Sequence, residues 1–229
     1  MIRRDYILRM MAEFFEALSR IRSLQKGQSW NEASLATDKE FQRLISGGAD
    51  LAIGLSETEL LARLINGEPS LAVREKTLML ATLFKEQGDL ARGQGQGEPG
   101  TACYLKGLHL LLGVLAHEEP AEFPEFVPRI ETFLNALADV SLPMSTQAML
   151  MRHFEQSGEF GRAEDALFSM IEAEPENSAL LDFGISFYER LQTKADNALQ
   201  EGNLPRNEIE AGLAQLLSRK QASAAGFSS

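Results

Sequence analysis

The chain has 229 residues and a mass of 25.3 kDa, with 22 basic against 33 acidic side chains, a net charge of −11 and a single cysteine. That acidic balance argues against a nucleic-acid-binding surface, which needs a Lys/Arg surplus. One cysteine excludes an intrachain disulfide and any C-x-x-C zinc spacing, and no apolar run reaches the roughly 18 residues of a membrane span.

The opening MIRRDYILRM is basic but has no uninterrupted apolar stretch or small-residue cleavage site, so no signal peptide is expected. A cytoplasmic protein of one or two domains, with a sizeable core, is the expectation. The 34 Leu, 27 Ala and 25 Glu make up over a third of the chain, against four Val. These residues lose little freedom in a helix, whereas β-branched side chains favour strands. An all-α fold of about ten helices is predicted.

The first helix runs from Arg3 to about Leu24, with Ile7, Met11, Phe14, Leu18 and Ile21 on one stripe. A second covers Trp30 to Ile45 and ends at Gly47-Gly48. Ser56-Glu57-Thr58-Glu59 reads as a capping box opening a short helix to Ile65, stopped by Asn66-Gly67. Pro69 starts a helix expected to reach Gln87 and stop at Gly88. A glycine-rich loop from Gly93 to Gly100, dispensable for folding, is expected next. The helix from Thr101 to His117 is apolar nearly all the way round and should be buried on most sides. Further helices are expected over 124–138, 145–157, 160–173, 177–200 and 205–220, with a flexible tail over 221–229.

A repeat search finds its best window at Gln147–Pro175. Leu150, Met151 and Phe154 make an apolar first helix and Gly158 sits in the turn. Ala163 is the small residue where two helices approach closely, Leu167 and Met170 face inward, and Pro175 closes the unit. This order resembles a tetratricopeptide repeat. The next unit keeps the period, since Tyr188 lies 34 residues after Phe154 and is preceded by Leu181, Gly184 and Ile185. Leu80, Ala81, Phe84 and Gly88 resemble the first helix of a third unit. The predicted architecture is a tetratricopeptide-like superhelix over residues 67–220, preceded by an N-terminal helical region, 1–66. The stretches RRDYILRMM, GEFGRAEDALFSMI, FGISFYERL and GNLPRNEIEAGLAQL resemble an uncharacterised bacterial family of tetratricopeptide-like proteins. That resemblance implies the fold and supplies no activity and no catalytic residue.

Candidate chemistry is sparse. His109 has no carboxylate three or four residues on, and His117 stands in an acidic stretch with Glu118, Glu119, Glu122 and Glu125 that reads better as an exposed loop than a cation site. His153 is expected on a helix surface. Cys103 lies on the most apolar helix and reads as a core residue. The glycines of 93–100 lack the preceding strand and following Lys-Ser/Thr of a phosphate loop. No catalytic residue, metal ligand or cofactor is expected.

The first 26 residues carry a net +3, leaving −14 on the rest. Such a basic amphipathic helix packs on its own chain, docks on a partner, or rests on a membrane, the last being the least expected. The leading functional expectation is a non-enzymatic helical-repeat protein that binds an unidentified protein or peptide. The groove that the repeat resemblance implies is lined by Arg152, Glu155, Gln156, Asp182, Ser186, Glu189 and Arg190. The alternative is a homo-oligomer, such as a homodimer, whose first helices pair through Ile7, Met11, Phe14, Leu18 and Ile21. A small-molecule-binding protein or enzyme is a remote third.

Overall fold

A computed structural model describes residues 2–65, 70–116 and 123–226, and among them all regular structure is helical. The chain forms two compact units, residues 1–141 and 142–229. The division expected at 66/67 lies inside the first of these.

Unit one holds α1 (Ile2–Lys26), α2 (Trp30–Ile45), α3 (Ala49–Gly54), α4 (Glu57–Ile65), α5 (Ser70–Gly93), α6 (Gly97–Leu115) and α7 (Ile130–Ala136). Its centre is α5, with α1, α2, α4 and α6 packed around it. Every residue from Thr77 to Phe84 is buried. The hydroxyls of Thr77 and Thr82 donate to the carbonyls of Val73 and Leu78, so neither polar group is left unsatisfied in the core. Phe41 and Phe84 meet edge-to-face with centroids 5.2 Å apart, as do Phe14 and Phe126 at 5.1 Å.

The capping box forms as the sequence predicts: the Ser56 amide donates to Glu59 Oε2 over 2.8 Å, and the Glu59 amide to Ser56 Oγ over 3.3 Å. The expected stops at Asn66-Gly67 and start at Pro69 lie outside the described residues.

Several boundaries differ from expectation. Helix α5 does not stop at Gly88, because that glycine makes room for a ring: a Cβ there would stand 2.6 Å from Cε1 of Tyr104. The glycine-rich loop shrinks to a tight turn. Gly95 is left-handed (φ +76°), its amide donates to the Arg92 carbonyl, and the Gln96 amide reaches back to the Ala91 carbonyl. That is a Schellman ending, after which α6 begins at Gly97. Both ends of this segment are closely packed. A Cβ on Gly93 would meet the Trp30 ring at 2.5 Å, and Gly100 lies against the backbone of Gly88. The helix expected over 124–138 is cut to Ile130–Ala136, since Pro128 has no N–H to give and holds Val127 out of the helical region. Helix α3 was not expected at all.

Unit two holds α8 (Met144–Ser157), α9 (Phe160–Ala173), α10 (Ser178–Gln192), α11 (Asp196–Glu201) and α12 (Arg206–Gly226), so twelve helices are described rather than about ten. Helix α8 packs on α9, and α10 on α12. The helix expected over 177–200 breaks after Gln192 because Arg206 collects the carbonyls of Gln192 (3.1 Å) and Lys194 (2.8 Å) and pairs with Asp196. Helix α12 continues to Gly226, past the point where a tail was expected. Leu150, Met151, Phe154, Ala163, Leu167, Met170, Leu181, Ile185 and Tyr188 are all buried.

The α1 stripe is a core element. Ile7, Phe14, Leu18 and Ile21 are buried within the chain, and Met11 is half-buried. Helices α2 and α5 cover that side. Four of the five residues expected to make a docking or dimer helix are thus packed within their own chain. One of its basic residues also turns inward: Arg22 pairs with the fully buried Glu86.

Candidate interaction surface

In unit two, the residues predicted to line a groove sit on α8 and α10. Each helix projects its apolar side into the core, which leaves Arg152, Gln156, Ser186 and Glu189 exposed. Among the described residues these four make no ion pair or side-chain hydrogen bond. Glu155 and Arg190 are 35 residues apart in sequence and meet side-on. Arg190 Nε stands 2.7 Å from Glu155 Oε1 and Nη2 stands 2.8 Å from Oε2. A two-pronged guanidinium–carboxylate contact fixes orientation as well as distance. Hydrogen bonding to Glu155 holds the Arg190 guanidinium even above its ordinary pKa, against a smaller cost of burial.

Asp182 is held differently, 2.5 Å from Lys220 of α12. The seven predicted residues therefore divide into three committed to ion pairs within the chain and four open to solvent. Beside them, the Arg162 guanidinium lies 3.9 Å from the centre of the Phe154 ring and pairs with Glu159 at 2.6 Å. That cation–π contact has no sequence signal beyond the proximity of the two helix ends.

Under this face is Tyr188, whose hydroxyl donates to Glu164 Oε1 over 2.5 Å. Burial raises the Glu164 carboxyl above its usual value, and the nearby negative Glu208 and Asp165 add to this against the opposing hydrogen bond from Tyr188. Burial, together with the bond to negative Glu164, pushes the Tyr188 phenol far above its ordinary range. Gly212 of α12 leaves the space into which the Tyr188 ring fits.

A model of a family of unknown function matches residues 1–221. The chain belongs to that family, DUF6483. No characterised protein matches the chain, and no solved structure does. Family membership therefore carries no activity with it, and the side chains have to speak for themselves.

The candidate chemical groups of unit one are structurally occupied. His109 Nδ1 lies 3.1 Å from Glu57 Oε1, a carboxylate 52 residues away that local spacing cannot reveal. Burial lifts the Glu57 carboxyl, but hydrogen bonds from its own backbone and His109, with the positive charge of Lys106, outweigh this and hold it below its usual value. Lys106 Nζ donates to the carbonyls of Ile53 (2.6 Å) and Leu55 at the end of α3. It thus caps that short helix. Cys103 is buried, and desolvation pushes its thiol up to about 11 despite Lys106 nearby, which makes it a poor nucleophile at neutral pH. Among the described residues no cluster of three His, Cys, Asp or Glu side chains could hold a metal ion. His117, Glu118, Glu119 and Glu122 lie outside the described residues. No described helix is long and apolar enough to cross a membrane.

Proposed function

We propose that this is a non-enzymatic helical-repeat protein that binds a protein or peptide along the face carried by α8 and α10. The observation that carries the reading is the Glu155–Arg190 pair, which ties together two helices whose counterpart residues recur at a 34-residue period, Phe154 and Tyr188. Buried Phe154, Ala163 and Tyr188 support a tetratricopeptide-like stacking of the hairpins, with α11 inserted before the second helix of the later one. On such a face the uncommitted Arg152, Gln156, Ser186 and Glu189 offer donors and acceptors to an extended or helical segment. Their mixed charge favours a polar partner that supplies both signs.

The test is affinity capture with the intact chain and with the Arg152→Glu/Glu189→Arg variant, whose substitutions touch only exposed positions. A protein retained by the parent chain and lost by the variant, at an unchanged melting temperature, supports the reading. An identical retained set, or none, overturns it.

A further inference from the structure

Helix α1 carries a second apolar ridge, exposed to solvent beside the buried stripe. Leu8 is 55% exposed and Phe15 49% exposed, and the exposed small residues Ala12 and Ser19 alternate with them. The steps are four, three and four, the spacing of a coiled-coil seam. Along one flank run Arg9 and Glu16, both exposed. Arg9 is only 4.0 Å from Glu13, which Arg43 already holds at 3.1 Å, and Glu16 has no ion pair among the described residues.

We infer that this outer ridge is the interface of a homodimer in which the first helices of two copies of the chain lie antiparallel about a two-fold axis between residues 13 and 14. Two features select that occupant and that direction. The first is size. Antiparallel pairing sets Phe15 opposite Ala12 of the second copy and Leu8 opposite Ser19 of the second copy, so each bulky side chain faces a small one and the helices keep an even separation. Parallel pairing stacks Phe15 on Phe15 and Ala12 on Ala12, which forces the helices apart at one layer and leaves a gap at the next. The second is charge. Because Arg9 and Glu16 share a flank, the two-fold axis brings Arg9 of each copy to Glu16 of the other, twice over. A self-complementary patch of this kind is what a two-fold contact requires. Roughly three turns of helix make a small interface, so the dimer is weak and reversible. It lies roughly a third of a turn round the helix from the buried stripe of Ile7, Phe14, Leu18 and Ile21, and it involves no residue of α8 or α10.

The test is sedimentation equilibrium of the full chain over a wide concentration range. The mass should rise from 25.3 kDa towards twice that value. Phe15→Glu should stay monomeric with an unchanged melting temperature, since the residue is outside the core. Arg9→Glu and Glu16→Arg should each weaken the dimer about tenfold, because both symmetric pairs turn repulsive at once, and the double variant should restore it. A parent chain that stays at monomer mass, a dimer that survives Phe15→Glu, or a double variant that fails to restore association would each overturn the inference. Binding to anionic vesicles lost in Phe15→Glu, with the chain monomeric throughout, would also overturn it and assign the ridge to a lipid surface.

Discussion

Arg22 on the first helix places its Nε 2.8 Å from Oε1 of Glu86, a carboxylate with no exposed surface in the middle of α5. Lys85 is the next nearest cation to that oxygen, at 3.4 Å, and Gln25 of α1 donates to the Glu86 carbonyl over 3.0 Å. The basic first helix is thus locked to the central helix by charge as well as by its apolar stripe. Removing the guanidinium leaves a buried carboxylate served only by a more distant ammonium. Because Arg22 is itself 40% exposed, the expected cost of Arg22→Met is discounted to about 2 kcal/mol. Chemical denaturation measures it. A loss below a few tenths would show that the pair is screened away.

Gly88 provides a test with an inverted sign. In an ordinary helix interior Gly→Ala stabilises by about 1 kcal/mol. Here the new Cβ would press into the face of the Tyr104 ring, which is itself held by its hydroxyl, 2.7 Å from Asp89 Oδ1. Gly88→Ala should therefore destabilise by roughly 1–3 kcal/mol through overpacking. Thermal melting distinguishes the two signs, and stabilisation would show that Gly88 merely weakens the helix.

The tyrosines supply a pH prediction. Burial, and then the hydrogen bond to negative Asp89, raises the Tyr104 phenol well above its ordinary value, as burial and Glu164 do for Tyr188. A phenol raised by folding contributes stability that is whole below the ordinary value of about 10 and is lost as pH rises beyond it towards the folded value. Stability should fall with alkali from about pH 10 upward, and two of the three phenols should resist ionisation until the chain unfolds. Spectrophotometric titration checks this; three phenols ionising together in the native protein would contradict it.

How much of this was legible in the sequence depended on distance along the chain. The Ser56–Glu59 capping box and the α1 stripe are local patterns: the box forms, and four of the five stripe residues are buried. The stop expected at Gly88 does not form, because glycine weakens helices only on average. Here its value lies in a ring 16 residues onward, which local propensity does not register. The break after Gln192 depends on Arg206, 14 residues away, withdrawing carbonyls that would otherwise continue the helix. The inward turn of Arg22 needs Glu86, 64 residues on, which counting charges along the first helix does not register. The groove residues were legible only through the 34-residue period. That period identified the helices to compare, but not that Glu155 and Arg190 would satisfy each other while Asp182 went to Lys220.

The most direct measurement of the proposed binding face is photo-crosslinking in cells that make the protein, with a benzophenone side chain placed at Ser186 on α10 or at the exposed Glu172 on α9. A distinct crosslinked species from position 186 that is missing from position 172 is the predicted result. The same species from both positions, or none from position 186, would contradict a binding face on α8 and α10.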